Sequence, residues 1–313
     1  MEIAPWASFL TIVLTTVLFL LAICRHHSRK YNPPPGPTPF PVIGSLNLVG
    51  PLLHRSLQEL SAQYGPFMSI RLGSHTFVIG SSVEAAKFFL KTNDMVFIDR
   101  PRTAAGKYTL YNHSDILSSP YGAYWRQARK LCQATLFSES QLKSQEYIRR
   151  EEMRATLNKV LIASSSGHVV RLKDHLYLQS LNVICRLVLG KKYVGDDSVT
   201  SLEEFMWMMD ELLVLNGAVV LGDVIPWLSF LDLQGYIGRM KKLNKMFDLF
   251  LEHMLHQHNE RRQGEGKNFV PKDMVDLLQE CAEDPNLEVP IKRDGVKALV
   301  LVRVTVFGML HFI

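Results

Sequence analysis

The pattern of hydrophobic and polar positions divides the chain into an apolar run, a short alternating region and a long region of helical periodicity. Apolar and polar residues alternate at 67–72 and 76–79, on either side of Gly73 and Ser74, and this predicts a β-hairpin. Ser82 is placed to cap a helix after the hairpin, because its hydroxyl can accept a backbone N–H of the first turn. A small sheet flanked by helix therefore follows the apolar run.

From residue 120 onward, apolar residues recur every three to four positions, which is typical of amphipathic helices. Before that point, VFIDRP at 96–101 predicts a short strand, and residues 101–120 predict a long polar loop. Gly190 is placed to end a helix as the residue after its last turn. The predicted helices are 57–64, 82–92, one that follows Gly122, 146–163, 172–189, 202–215, 239–262, 272–282 and one that begins near Asp294.

The apolar run at residues 4–24 carries no charge and is long enough to span the hydrocarbon core of a bilayer as a helix. Basic residues follow directly at 25–30, and they predict that this flank stays in the cytoplasm. A cleaved signal peptide is the alternative, but it would carry its positive charge before the apolar run. The pattern favours a transmembrane signal anchor.

A proline-rich segment follows at residues 31–44, with five prolines between Pro33 and Pro39. Such a segment is stiff and extended. A hinge that holds a domain at a fixed angle to the membrane and an ordinary linker both fit this composition.

Composition and charge narrow the classes of function. The 313 residues are 47% apolar and 21% charged, which is a globular composition with a large core. The net charge of +5 is spread along the chain without a Lys/Arg block, and this argues against binding of nucleic acid. The four cysteines contain no CxxC pair, which argues against a disulfide framework or a zinc site. The sequence has neither a Walker loop nor a GxGxxG motif after a strand, which argues against a nucleotide-binding fold.

His253, His256 and His258 lie close to Glu252 and have the spacing of a metal cluster. On a long amphipathic helix, a solvated polar face gives the same pattern, and this is the interpretation that we adopt.

Trp125 and Arg129 lie four residues apart in the helix that follows Gly122. Both side chains share one helix face, so an indole N–H and a guanidinium lie side by side. Both are hydrogen-bond donors, and the pair suits a carboxylate ligand. A core Trp with a salt-bridged Arg at its edge gives the same pattern, and the segment alone leaves both interpretations open. Arg126 and Lys130 form a separate basic face.

Six stretches of the chain occur together in one known family. They are PPPGPTPFPVIGSL, YGPFMSIRLGS, FIDRP, SPYGAYWRQARKLC, SLNVICRLVLGKKY and GDVIPWLSFLDLQGY. With them, the chain resembles a plant microsomal cytochrome P450, a haem-thiolate monooxygenase. The resemblance covers about residues 1–301 and is to the plant group that includes flavonoid hydroxylases and homoterpene-forming oxygenases. It implies a cytochrome P450-like fold, mainly α with a small β-sheet near the N-terminus.

The resemblance implies roles for the basic residues. Trp125 and Arg129 would bind the propionates of haem b, and Arg100 of the FxxRP segment would contact a propionate too. Buried carboxylates need charge-assisted donors, and Arg supplies two at once. Arg126 and Lys130 would lie on the basic surface that docks an acidic NADPH–cytochrome reductase, although a solvated charged face has the same composition.

The resemblance also implies a pocket for a small apolar substrate near the haem. The residues that it implies are Ile116, Leu117, Leu212, Leu213, Asn216, Gly217 and Val220. The apolar character of residues 212–221 suits an aromatic or terpenoid substrate, and plain core residues have the same character.

The C-terminal part of the chain departs from the family pattern. The family has an oxygen-activating helix with an AGGT-like motif, an ExxR helix and a loop whose Cys thiolate ligates the iron. The chain begins the first of these near Asp294 and then reads VRVTVFGMLHFI at 302–313, with no cysteine after Cys281. Because the thiolate drives O–O cleavage, we expect a fold truncated within the oxygen-activating helix, no iron ligand or catalytic residue, and an inactive chain.

The sequence thus predicts four regions: a transmembrane signal anchor with a basic flank at 1–30, a hinge at 31–44, an incomplete cytochrome P450 domain at 45–301 and a divergent tail at 302–313. By resemblance, the function is that of an NADPH-dependent monooxygenase of the endoplasmic reticulum membrane, with its main domain facing the cytosol. Its substrate would be a plant flavonoid, phenylpropanoid or terpenoid. The alternative is a non-catalytic, membrane-anchored remnant, or a helical protein that binds the reductase or another partner.

Overall fold

The computed structural model describes residues 11–16, 32–136, 139–191 and 200–309. The chain divides into two compact units, Met1–Asp94 and Met95–Ile313, which we call the N-terminal and the C-terminal unit. Residues 11–16 are helical, and the rest of the predicted anchor lies outside the described residues.

The N-terminal unit is built around the predicted hairpin. Strands β1 (Phe67–Leu72) and β2 (His75–Gly80) pair in antiparallel fashion, so that Leu72 lies opposite His75 at the turn. Alternate residues of β1 are buried. The alternation in the sequence therefore identified both strands, and β1 buries one of its two faces.

Helices flank this hairpin. The helical elements are a 3-10 turn at Leu46–Leu48, α1 (Leu53–Tyr64), α2 (Val83–Lys87) and a π-helical turn at Phe88–Thr92. The Ser82 hydroxyl accepts the Ala85 N–H at 3.1 Å, which confirms the predicted cap of α2.

Part of the proline-rich segment contacts β1. The amide and the hydroxyl of Ser69 donate to the carbonyl oxygens of Pro35 and Pro34, at 2.9 and 2.7 Å. A Cβ atom on Gly36 would lie 1.9 Å from the Ser69 carbonyl oxygen, so only glycine allows this approach. These contacts attach the first part of the predicted hinge to the sheet of its own unit.

In the C-terminal unit, the described elements are helical. They are α3 (Asp94–Phe97), which begins at the boundary of the units, α4 (Ala104–Tyr108), α5 (Ala123–Leu136), α6 (Glu139–Ser144), α7 (Glu146–Ser165), α8 (Leu172–Leu189), α9 (Leu202–Gly217), α10 (Leu221–Val224), α11 (Tyr236–Glu265), α12 (Met274–Ala282) and α13 (Arg293–Met309), with 3-10 turns at Pro226–Leu231 and Gly266–Asn268. The long predicted helices are therefore confirmed. Gly190 ends α8 in the left-handed conformation, with φ 74°.

The core of the C-terminal unit lies among the long helices. Helix α8 packs against α7 and α13, and α9 packs against α11. Each helix contributes apolar residues at helical spacing, such as Ile184 and Val188 on α8 and Leu243 and Phe247 on α11. Burial of such side chains stabilises the fold by about 1.5–3 kcal/mol each.

Within the described part of the chain, the segment Leu202–Val224 is long and apolar enough to cross a membrane, with a mean hydropathy of 1.4. A core helix meets the same criteria. Phe205, Met208 and Leu212 are fully buried, so one side of the segment packs in the core of the unit.

Two predictions for residues 96–120 are wrong. Residues 96–101 do not form a strand: 94–97 are helical, and Val96 and Phe97 are exposed, with no strand of the described residues paired to them. The predicted loop contains α4, which begins after Thr103. The Thr103 hydroxyl accepts the Gly106 N–H at 3.1 Å, so a capping residue marked this helix.

The prediction of a solvated histidine face is wrong for His258. His256 is exposed, but His258 is only 4% exposed. Helix α12 packs against α11 and contributes Asp273 and Asp276, so the last turns of α11 have a buried polar side. The sequence pattern of α11 alone does not show that α12 packs over His258.

Candidate functional site

Trp125 is the centre of a cluster of cationic side chains in the C-terminal unit. Helix α5 places Trp125 and Arg129 one turn apart, and Trp125 is 8% exposed. The guanidinium of Arg129 lies 5.1 Å from the centroid of the Trp125 ring, and that of Arg100 lies 5.2 Å from it. Two guanidinium groups therefore converge on one indole by cation–π contacts.

The two arginines differ in how firmly they are held. Arg100 Nε donates to the Leu117 carbonyl oxygen at 3.2 Å, and a terminal nitrogen donates to the Ile98 carbonyl oxygen. Arg129 is exposed. Neither side chain has a carboxylate partner among the described residues. The cluster thus carries two positive charges without a counter-charge from that part of the chain, and it suits an anion with more than one acceptor oxygen.

The indole N–H of Trp125 has a partner within the chain. It donates to the Ile116 carbonyl oxygen at 2.9 Å. The structure therefore brings the predicted donors together, but it uses the Trp125 N–H to hold the preceding loop.

Asp115 orders that loop. Its buried carboxylate accepts the backbone N–H groups of Leu117 and Ser118, at 2.6 and 2.9 Å, and also the Ser118 hydroxyl. This is an Asx turn, and it fixes the direction of the Ile116 carbonyl toward the indole. The sequence analysis missed Asp115, although an Asp three residues before a Ser is the usual signal of such a turn.

Tyr124 ties α5 to the same loop from another face. Its hydroxyl donates to the Ser114 carbonyl oxygen at 2.6 Å. Burial, and next the negative charge of Asp115, raise the pKa of Tyr124 to about 12, so the hydroxyl remains a donor at neutral pH. Loop and helix are therefore joined through two side chains of α5.

The predicted basic surface is present on the exposed side of α5. Arg126 and Lys130 are both exposed. The Arg126 guanidinium lies 3.9 Å from the Glu288 carboxylate and 5.7 Å from the centroid of the Tyr121 ring. Such an exposed, long ion pair contributes little to stability, so Arg126 remains able to contact an acidic partner.

The predicted substrate residues occupy different environments. Leu212 and Val220 are buried in the core, Ile116 packs against it, and Leu213 is half-buried, whereas Leu117, Asn216 and Gly217 are exposed. Val220 lines a cavity of about 480 Å³, and the other predicted residues do not. The grouping of this set around one substrate stays a prediction.

The sequence model of the cytochrome P450 family matches residues 34–302. The chain belongs to the cytochrome P450 family. It is 39% identical over 300 residues to a trimethyltridecatetraene synthase from Zea mays, covering 91% of this chain and 54% of that protein. It is 37% identical over 301 residues to a flavonoid 3'-monooxygenase from Petunia hybrida, covering 93% of this chain and 58% of that protein. The chain thus spans about half the length of the curated relatives it matches.

The cytochrome P450 fold is also found by comparison of structures. A solved structure of a zebra fish cytochrome P450 with progesterone superposes with a TM-score of 0.62 at 21% identity, over 82% of this chain and 56% of that one. At this identity the likeness shows the fold. The mainly helical architecture with a small two-stranded sheet is therefore that of the family.

Membership in the family implies a haem. The haem carries two propionates, and the donor set around Trp125 fits them: Arg100 and Arg129 converge there and lack a carboxylate partner in the described ranges.

Three free cysteines, Cys132, Cys185 and Cys281, lie in the described part of the chain. Burial raises the pKa of Cys132 and, to about 12, that of Cys185, and burial also raises the pKa of Cys281. In the metal-free protein each is therefore a neutral thiol at physiological pH. Cys24 lies outside the described residues.

Proposed function

We propose that the chain supplies the propionate-binding side of the haem site of an NADPH-dependent monooxygenase that hydroxylates an apolar plant metabolite. The observation on which this rests is the convergence of Arg100 and Arg129 on Trp125. The names of the relatives support a flavonoid or a terpenoid as the class of substrate.

The residues of the chain would bind and orient the cofactor. Arg100 and Arg129 each present a fork of N–H donors to a carboxylate, and the buried ring of Trp125 keeps water from one side of them. When bound, the haem supplies the oxygen chemistry, which no protein side chain provides. Asp115 and the Trp125 N–H fix the loop at 115–118, which places Ile116 and Leu117 beside this cluster.

The proposal also includes the membrane location of the enzyme and its protein partner. The uncharged run at 4–24 with its basic flank supports an anchor in the endoplasmic reticulum membrane, with the main domain facing the cytosol. The exposed side chains of Arg126 and Lys130 support docking of an acidic NADPH–cytochrome reductase.

Binding of haemin by the purified chain tests the propionate assignment. Haemin dimethyl ester is the matched ligand, because it has the same ring without the two carboxylates. We expect haemin to bind about tenfold more tightly than the ester, since charge-assisted hydrogen bonds contribute about 1.5–3 kcal/mol. Arg129→Gln should remove most of this difference, and Arg154→Gln on α7 should preserve it. Equal affinity for the two ligands would contradict the assignment.

We propose further that residues 1–313 do not catalyse oxygenation by themselves. The support lies in the sequence: none of the four cysteines stands in a Gly- and Arg-containing loop like that of the family's iron ligand, and Cys24 falls within the proposed anchor. This favours the second candidate function, a membrane-anchored protein without catalytic activity. A thiolate-type Soret band of the reduced, carbon-monoxide-bound chain, together with NADPH-dependent product formation, would contradict it.

A further inference from the structure

A network of charged side chains connects α13 with the long helix α11. Lys297 of α13 is 3% exposed, and its ammonium group donates to an Asp248 carboxylate oxygen at 2.7 Å. The same ammonium group forms an ion pair with Glu252, which also binds the Arg293 guanidinium. Burial lowers the pKa of Lys297, but the hydrogen bonds and charges of Asp248 and Glu252 outweigh burial and raise it. Lys297 is therefore charged at neutral pH.

Tyr111 joins this network to the loop before α5. Its hydroxyl donates to the Asp248 carboxylate at 3.1 Å, and the Lys297 ammonium group lies 5.6 Å from the centroid of its ring. Burial, and next the negative charge of Asp248, raise the pKa of Tyr111, so its hydroxyl keeps the proton and remains a donor. One side chain of the loop therefore contacts both members of the Asp248–Lys297 ion pair.

The backbone at Tyr111 has a conformation that needs support from its surroundings. Tyr111, Asn112 and His113 have φ angles of 49°, 56° and 61°, which non-glycine residues rarely adopt. The N–H groups of Asn112 and His113 donate to carbonyl oxygens of α4, at 3.1 and 2.9 Å. A strained turn of this kind persists where its surroundings fix it. The Asp248–Lys297 ion pair fixes the side chain of its first residue.

Hydrogen bonds lead from this turn to helix α5. The Ser114 hydroxyl donates to the Tyr111 carbonyl oxygen at 2.6 Å, and the Ser114 N–H donates to the Leu110 carbonyl oxygen at 3.1 Å. The Ser114 carbonyl oxygen in turn accepts the Tyr124 hydroxyl of α5 at 2.6 Å. The position of Tyr111 is therefore transmitted to Ser114, which directly precedes the Asx turn of Asp115.

The residues after the Asx turn hold two members of the cluster at Trp125. The Ile116 carbonyl oxygen accepts the Trp125 N–H at 2.9 Å, and the Leu117 carbonyl oxygen accepts Arg100 Nε at 3.2 Å. The directions of these two carbonyl groups set where the indole and the Arg100 guanidinium lie. A continuous series of contacts thus runs from the Asp248–Lys297 ion pair to the cationic cluster.

We propose that Asp248 and Lys297 are positioning residues for the loop that holds Trp125 and Arg100, and that they act through the Tyr111 hydroxyl. The effect on an anion at this cluster rests on the proposed function, whereas the position of the loop does not. Coupling between separate segments of a protein typically changes binding by about twofold to thirtyfold. Loss of the Tyr111 hydroxyl should therefore loosen the loop and weaken binding of the anion.

Quenching of Trp125 fluorescence by acrylamide, on the full chain in detergent, tests the position of the loop without haem. The other three tryptophans are first replaced by phenylalanine; they are Trp6, Trp207 and Trp227. We expect Tyr111→Phe and Lys297→Met each to raise the quenching constant about twofold, because the loop that accepts the indole N–H opens more often. The control is Tyr147→Phe, which removes a hydroxyl at an exposed position on α7 and should leave the constant unchanged.

The double variant Tyr111→Phe/Lys297→Met separates action through Tyr111 from a general loss of stability. If Lys297 acts through the hydroxyl, the quenching constant of the double variant should lie within about 1.5-fold of that of Tyr111→Phe. Effects of the two substitutions that multiply would overturn the proposal, and so would a wild-type constant for Tyr111→Phe. If Lys297→Met does not fold, Asp248→Ala takes its place, because it removes the acceptor of the Tyr111 hydroxyl.

Binding of haemin and its dimethyl ester tests the consequence for the anion. We expect Tyr111→Phe to bind haemin about fivefold more weakly than the wild type, and the ester within about twofold. A variant with a raised quenching constant and wild-type affinity for haemin would overturn the effect on the anion. A wild type that does not distinguish haemin from the ester would instead contradict the proposed function, and the quenching constants would still decide whether Asp248 and Lys297 position the loop.

Discussion

Replacing His258 by glutamine should destabilise the C-terminal unit and remove a pH dependence of its stability. His258 Nδ1 lies 2.9 Å from the Met254 carbonyl oxygen, and Nε2 lies 3.1 Å from an Asp273 carboxylate oxygen. Both ring nitrogens face acceptors, so both must carry a proton. The structure therefore contains an imidazolium on the buried side of α11.

Burial lowers the pKa of His258, but the hydrogen bond and the charge of Asp273, with further help from the Met254 carbonyl and Asp276, outweigh burial and raise it above the usual 6.5. Below about pH 6.5 the side chain is charged in the folded and the unfolded states, and its stabilisation is fully present. As the pH rises through the raised pKa of the folded state, the proton is lost and the stabilisation with it. In that window the free energy of unfolding should fall by up to about 1.4 kcal/mol per pH unit.

The size of the effect at low pH follows from the partners. Asp273 is 2% exposed, and its other cationic neighbour, Arg261, lies 3.8 Å away and also binds Asp276. Removing one partner of a buried ion pair costs about 3–5 kcal/mol, because the remaining charge stays buried. Arg261 compensates in part, so we expect His258→Gln to lose about 3 kcal/mol near pH 6.

Urea unfolding of the full chain in detergent, followed by far-UV circular dichroism between pH 6 and 9, measures both quantities. His256→Gln is the matched control, because His256 is exposed on the same helix. We expect the wild type and the control to lose stability with rising pH in parallel, and His258→Gln to lose less. If His258→Gln shows the wild-type slope, or is as stable as the wild type at pH 6, the buried imidazolium is refuted.

Three further predictions concern other parts of the chain. Gly190→Ala should lower the free energy of unfolding by more than about 1 kcal/mol in the same urea assay. Residue 190 has φ 74°, and a Cβ atom there would lie 2.4 Å from an Asp273 carboxylate oxygen. Gly264→Ala is the control, because Gly264 lies at an open position on a helix. The full chain should remain in the pellet after alkaline carbonate washing, and complete extraction would contradict the anchor at 1–30. In an active enzyme that contains this chain, Arg126→Glu/Lys130→Glu should slow reduction by the reductase at low salt and less so at high salt, and an unchanged rate at low salt would leave only a solvated face.

The spacing of residues along the sequence was sufficient to predict the structure wherever the interacting residues belong to one helix, strand pair or turn. The hairpin followed from alternation at 67–72, the cap at Ser82 from its hydroxyl, and the end of α8 from Gly190. In each case the residues that matter lie within a few positions of each other. The short helix α4 also has a local signal, because Thr103 caps it. This helix was missed because the polar composition of residues 101–120 is typical of a loop.

Contacts between distant segments could not be predicted in this way. Lys297 is 3% exposed and donates to Asp248 at 2.7 Å, across 49 positions of the sequence. The Tyr111 hydroxyl donates to the same carboxylate at 3.1 Å, across 137 positions. Each of these residues alone would be read as a solvated polar side chain, and only the packing of α11 on its neighbours shows that they form one network.

The site around Trp125 depends both on local spacing and on contacts between separate segments. Its pairing with Arg129 follows from one helical turn, but the approach of Arg100 and the hydrogen bond to the Ile116 carbonyl depend on how the loop before α5 folds back. The indole consequently has two tasks: its ring supports the two guanidinium groups, and its N–H holds the loop that carries Ile116. Phenylalanine at this position would keep the first task and lose the second, so support of the two guanidinium groups and the position of the loop are separable properties of one side chain.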